Sequence, residues 1–174
     1  MVSLTYPDLE MIPGPFAYDT MRLKWGDIFW AYTNGVFGWY DIVDIAKKRL
    51  KDDINLDLFI LTNELAGVTK SNIWQAQSTI EKLSQAEPSD ECTAKKKFLC
   101  LSLAWLNKKW TSLADPFEAI NIVYADFEYP EEIASLASYM PSTEAYNPSM
   151  HTEKENRDRL HDNLLNFLKN NGCK

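Results

Sequence analysis

The chain of 174 residues is poor in the side chains from which catalytic sites are usually assembled: it has two histidines, three cysteines and six glycines. His151 and His161 form no H-E-x-x-H or His-x-x-x-His pair, and on a helix their spacing puts them on different faces, which argues against a zinc site. The glycines fall into neither G-x-G-x-x-G nor G-x-x-x-x-G-K-[ST], so no dinucleotide or phosphate cradle is encoded. No cofactor is expected. Cys92, Cys100 and Cys173 are an odd set without C-x-x-C spacing. On one helix Cys92 and Cys100 would stand about 12 Å apart, beyond disulfide reach. Reduced thiols in a cytosol are therefore expected, with Cys100, inside an apolar run, behaving as a small hydrophobe and a poor nucleophile.

Long apolar runs are also lacking. No stretch of about 18 apolar residues occurs, and the N-terminus has no basic start, so neither membrane spanning nor export is expected and a cytoplasmic location is. The net charge of -7 repels phosphate backbones, and direct nucleic-acid binding is not expected. The basic runs Lys95-Lys96-Lys97 and Lys108-Lys109 read as solvated helix faces.

Strict period-2 alternation is scarce and helical periodicity dominates beyond residue 20, which predicts an all-α, single-domain bundle of about eight helices over residues 1–174. Pro7, Pro13, Gly14 and Pro15 predict an irregular arm over residues 1–20. Helices are expected at about 22–32, 39–50, 56–66, 69–87, 91–110, 116–126 and 130–139, with a last one opening at Thr152. The helix near 100 reads apolar almost all round, as a helix buried on several sides does. Asp115-Pro116-Phe117-Glu118 supplies a cap, a proline in the first turn and a carboxylate three residues past the cap, and Thr152 with Glu155 is a second capping box.

Charge is distributed regionally. Between residues 115 and 158 lie ten acids against Lys154 and Arg157. Tyr124, Phe127, Tyr129, Tyr139 and Tyr146 are interleaved with them. Such a surface attracts a basic partner at long range and offers large side chains for close contact; equally, the acids can serve solubility while the tyrosines fill the core with their hydroxyls at its rim.

The run Tyr124-Ala125-Asp126-Phe127-Glu128-Tyr129-Pro130-Glu131-Glu132, then Tyr139-Met140-Pro141 and Tyr146-Asn147-Pro148-Ser149-Met150-His151-Thr152 with Glu155-Asn156-Arg157, resembles a family of small bacterial proteins catalogued as a domain of unknown function. Trp25-Gly26-Asp27-Ile28 resembles its N-terminal pattern. Proteins of this type look like immunity proteins of polymorphic toxin systems, contact-dependent growth inhibition among them. The resemblance implies a non-enzymatic binder of a cognate toxin and carries over no site residues. A toxin that cuts nucleic acid needs a cationic cleft, which an acidic inhibitor can cover as a polyanion mimic, so Asp126, Glu128, Glu131, Glu132 and Glu144, with Tyr129, Tyr139 and Tyr146, are expected to form or border the contact with a basic nuclease. The same prolines, asparagine and tyrosines can instead fix turns between the last helices. A carboxylate-site hydrolase and a helical interaction scaffold are the alternative classes.

Overall fold

The computed structural model describes residues 12–52, 56–141 and 146–173. The fold is all-α. Among the described residues there are eight α-helices and no strand: α1 (Gly14–Thr20), α2 (Trp25–Thr33), α3 (Trp39–Arg49), α4 (Leu56–Ala66), α5 (Trp74–Ala86), α6 (Glu91–Lys108), α7 (Pro116–Asp126) and α8 (Glu153–Asn170). Two expectations need correction. Part of the predicted irregular arm is α1, because Pro13 is its cap and Pro15 lies in its first turn, where the missing N–H has no helical acceptor to lose. The predicted helix at 130–139 is a 3-10 helix, Glu131–Leu136.

The chain divides into two compact units, 12–98 and 99–173 among the described residues, with the boundary inside α6. In the first, the α2 N-terminus is held by a buried charge. Asp27 is fully buried and accepts from the Lys24 backbone N–H at 2.7 Å, the Ser89 hydroxyl at 2.6 Å and the Lys97 ammonium at 2.6 Å. Three donors satisfy a carboxylate that burial alone would penalise heavily. Gly26 is obligatory beside it: a Cβ there would lie 2.3 Å from the backbone N of Ser89. Glu87 completes the clamp, accepting from the Trp25 N–H and from Arg49 Nη1, each at 2.8 Å. Around this clamp Trp25, Ile28, Ile42, Ile45, Leu65, Ile80, Leu83 and Phe98 are fully buried.

In the second unit, α6 residues 99–106 are buried on every side, as their apolar run predicts. Asp115 caps α7 by accepting from the Phe117 N–H at 3.0 Å. α8 buries Leu160, Leu164 and Leu168 and packs on the 3-10 helix Glu131–Leu136. The cysteine expectation is also corrected, since Cys100 and Cys173 form a disulfide, 73 residues apart in sequence. Gly172, at φ +69°, turns the chain back at the end of α8, and the Cys173 N–H donates to the Leu168 carbonyl at 3.0 Å. That reversal brings together two thiols which helical spacing could not relate.

Candidate protein-interaction surface

The acidic, tyrosine-rich stretch begins where α7 stops. Asp126 is its last residue and is partly buried. Glu128 and Tyr129 then both adopt left-handed backbone, at φ 64° and 58°, a conformation that costs a non-glycine residue of the order of 1 kcal/mol or more. It is maintained by the Glu128 N–H on the Ala125 carbonyl at 3.0 Å and the Tyr129 N–H on the Tyr124 carbonyl at 2.9 Å. Pro130 follows at φ -65° and launches the 3-10 helix, placing Glu131 and Glu132 in an exposed first turn.

This reversal gathers three rings. Tyr124 is buried and forms the base, with Tyr129 edge-on at 5.3 Å and Tyr139 tilted at 6.2 Å between centroids. The outer two remain open, Tyr129 by 61% and Tyr139 by 58%. Asn121 anchors the returning strand of chain, its Oδ1 accepting from the Ser138 N–H at 3.0 Å. The Tyr139 phenol is held above its ordinary range by desolvation first, then by Tyr129, Tyr124 and Glu118.

Tyr146 belongs to a different cluster. Its hydroxyl donates to Asn156 Oδ1 at 2.7 Å, His151 stacks on its ring at 4.4 Å, and the Arg159 guanidinium sits 4.3 Å above it. The Asn156 amide donates to the Pro148 carbonyl at 3.0 Å. Asn147 caps the 3-10 helix Pro148–Met150, and Thr152 with Glu155 caps α8. The Tyr-Asn-Pro-Ser-Met-His-Thr stretch is thus turn chemistry, one of the two readings its composition allows. Glu155's carboxyl lies below its usual range because the Thr152 N–H and hydroxyl both donate to it. Glu144 lies outside the described residues.

Several features escaped the sequence reading. Arg157 lies 4.4 Å over the Phe117 ring, 3.2 Å from Asp115 and 3.8 Å from Glu153. With Trp110, Phe117, Asp158 and His161 it lines a cleft of about 450 Å³. His161 stacks on Trp110 at 4.0 Å and meets Asn107 at 3.3 Å. The Glu153-to-Arg157 spacing of four residues was the available signal; the ring beneath it was not legible. In the first unit, Tyr18, Arg22, Arg49, Asp52 and Glu87 line a cleft of about 600 Å³, within which Arg49 pairs with Glu87 and the Tyr18 hydroxyl donates to Asp52. No group of three His, Cys, Asp or Glu able to hold a metal occurs among the described residues.

These features define an all-α protein with a rigid tyrosine and carboxylate surface on its second unit. The chain belongs to the DUF2247 family, described as uncharacterized protein conserved in bacteria, whose family model matches residues 15–172. No curated protein and no solved structure matches it.

Proposed function

We propose that this protein is an immunity protein: it binds a cognate toxin domain of basic charge, a nuclease in this reading, and neutralises it by covering the cleft that holds phosphate. The observation that carries the reading is the pair of open rings, Tyr129 and Tyr139, seated on buried Tyr124 beside exposed Glu128, Glu131 and Glu132. Tyrosines bury much area at small entropic cost, and carboxylates around them steer a cationic target. A backbone fixed by two left-handed residues and a proline loses little freedom on binding. The toxin is delivered to the cytoplasm, which is where this reading places the protein. No helix among the described residues is long and apolar enough to cross a membrane.

This reading expects a secreted toxin to be encoded beside this gene, and the test is titration calorimetry against the toxin domain of that neighbour. One-to-one binding is expected, weakened by salt and at least about tenfold by Glu131→Lys with Glu132→Lys, a change of about 1.4 kcal/mol or more. Unchanged affinity after those reversals and Tyr139→Ala would exclude this surface as the contact.

A further inference from the structure

The turn that gathers Tyr124, Tyr129 and Tyr139 also fixes a carboxylate beside them. Glu118 stands on the exposed side of α7, and the Asn121 amide donates to its Oε2 at 3.1 Å. The same amide donates to the Ser138 hydroxyl at 2.9 Å, while Asn121 Oδ1 accepts from the Ser138 N–H. Asn121 thus ties Glu118 to the residue before Tyr139. At the Tyr139 phenol the consequence is electrostatic: after desolvation, the groups acting on it are Tyr129, Tyr124 and Glu118, and all of them push its pKa upward. No cation is among them. From residue 110 to residue 153 the chain has no Lys or Arg, and both arginines of α8 are engaged elsewhere, Arg157 over Phe117 and Arg159 over Tyr146.

Two other places in the chain show what completes such a site. Arg49 lies 4.7 Å over the Trp25 ring with Glu87 at 2.8 Å, and Arg157 lies 4.4 Å over the Phe117 ring with Asp115 at 3.2 Å. Each joins an aromatic face, a carboxylate and a guanidinium. At Tyr129 and Tyr139 the rings and the carboxylate are present, both rings are open to solvent, and among the described residues no cation lies over either of them.

We propose that Tyr129, Tyr139 and Glu118, set around the base of Tyr124, form a socket for one arginine side chain of a partner protein. This rests on the binding role proposed above and names the side chain that the surface takes. The faces of the open rings are negative and attract a cation. A guanidinium is planar, weakly hydrated and carries several N–H donors, so it can lie on a ring while bonding to the Glu118 carboxylate. A lysine ammonium gives up more hydration for a single point of contact. Phosphate is repelled by the same groups, and an apolar side chain offers Glu118 and the phenol oxygens no donor. The two left-handed residues and Asn121 hold the rings in place before the partner arrives, which keeps the ordering cost low.

An acetylated and amidated tripeptide with one central arginine tests this on the full chain without any toxin. In titrations followed by NMR, the ring-proton shifts of Tyr129 and Tyr139 are expected to saturate. The citrulline tripeptide, of the same shape without the charge, should bind at least about tenfold more weakly, with the lysine tripeptide between the two. Glu118→Gln should weaken arginine binding about threefold, Tyr139→Leu should weaken it as well, and Tyr139→Phe, which keeps the ring face, should not. Helical circular dichroism should be unchanged, since both side chains are exposed. No saturating shift, equal binding of the arginine and citrulline peptides, arginine binding that survives both Glu118→Gln and Tyr139→Leu, or shifts confined to other residues would overturn the proposal. The toxin domain then separates the two readings. If it binds while the peptide does not, the socket falls and the immunity reading stands; if the peptide fills the socket while the toxin domain does not bind, the immunity reading falls and the socket stands.

Discussion

Asp27 and the residue pair Glu128 and Tyr129 show two ways in which single residues hold this protein in shape. Asp27 has no contact with solvent and three donors. Replacing it by alanine leaves the Lys97 ammonium, the Ser89 hydroxyl and the Lys24 N–H without their acceptor. Removing one member of a buried pair costs about 3–5 kcal/mol; because Lys97 retains some access to water, a loss of about 3 kcal/mol is expected by urea unfolding. Glu128 works in the opposite sense. Its φ of 64° suits glycine, so Glu128→Gly is expected to raise stability by about 1 kcal/mol. The same change removes a surface carboxylate and frees the turn that presents Tyr129, so affinity for the proposed toxin partner should fall while the melting temperature rises. A variant that lost both would show that the left-handed turn is not the source of the strain.

At the scale of elements, ends matter more than middles. The start of α2 passes so close to the connection between α5 and α6 that Gly26→Ala forces backbone apart, with the added Cβ at 2.3 Å from Ser89 N. Overpacking of this kind costs about 1–3 kcal/mol, readable in the denaturation midpoint. α8 depends on its capping box. Thr152→Ala should cost about 1 kcal/mol, and the box should respond to pH. Glu155 titrates below its usual range in the folded chain, so its contribution is complete above the ordinary carboxylate pKa and is lost as pH falls through the lower folded value. The difference in melting temperature between the native chain and Glu155→Gln should therefore be widest near neutrality and close in acid.

At the scale of the molecule, the Cys100–Cys173 bridge joins residues next to the two ends of the second unit. Closing a loop of that length is worth about 4 kcal/mol in the chain-entropy account. Cys173→Ser, or a dithiol reductant, should lower the melting temperature of the purified oxidised protein, and reductant should have no effect on the Cys173→Ser variant. Disulfides are rare in a reducing cytosol. If the protein acts there as proposed, thiol labelling of freshly lysed cells should find Cys100 and Cys173 as thiols, and the bridge closes on oxidation.

The all-α fold, most helix bounds, the buried run of α6 and the caps at Asp115 and Thr152 were legible in the sequence, because each depends on periodicity or on residues within a turn of one another. Regional acidity was legible by counting. Contacts over long separations were hidden. The Asp27 to Lys97 pair, the Arg157 ring contact and the disulfide relate residues that no local pattern connects. Nor did spacing separate the tyrosines: Tyr129 and Tyr139 share a base on Tyr124, while Tyr146 turns to His151 and Asn156. Local chemistry decides which segments coil and where they stop; which rings meet and which charges are buried follow from packing, an outcome of the whole chain at once.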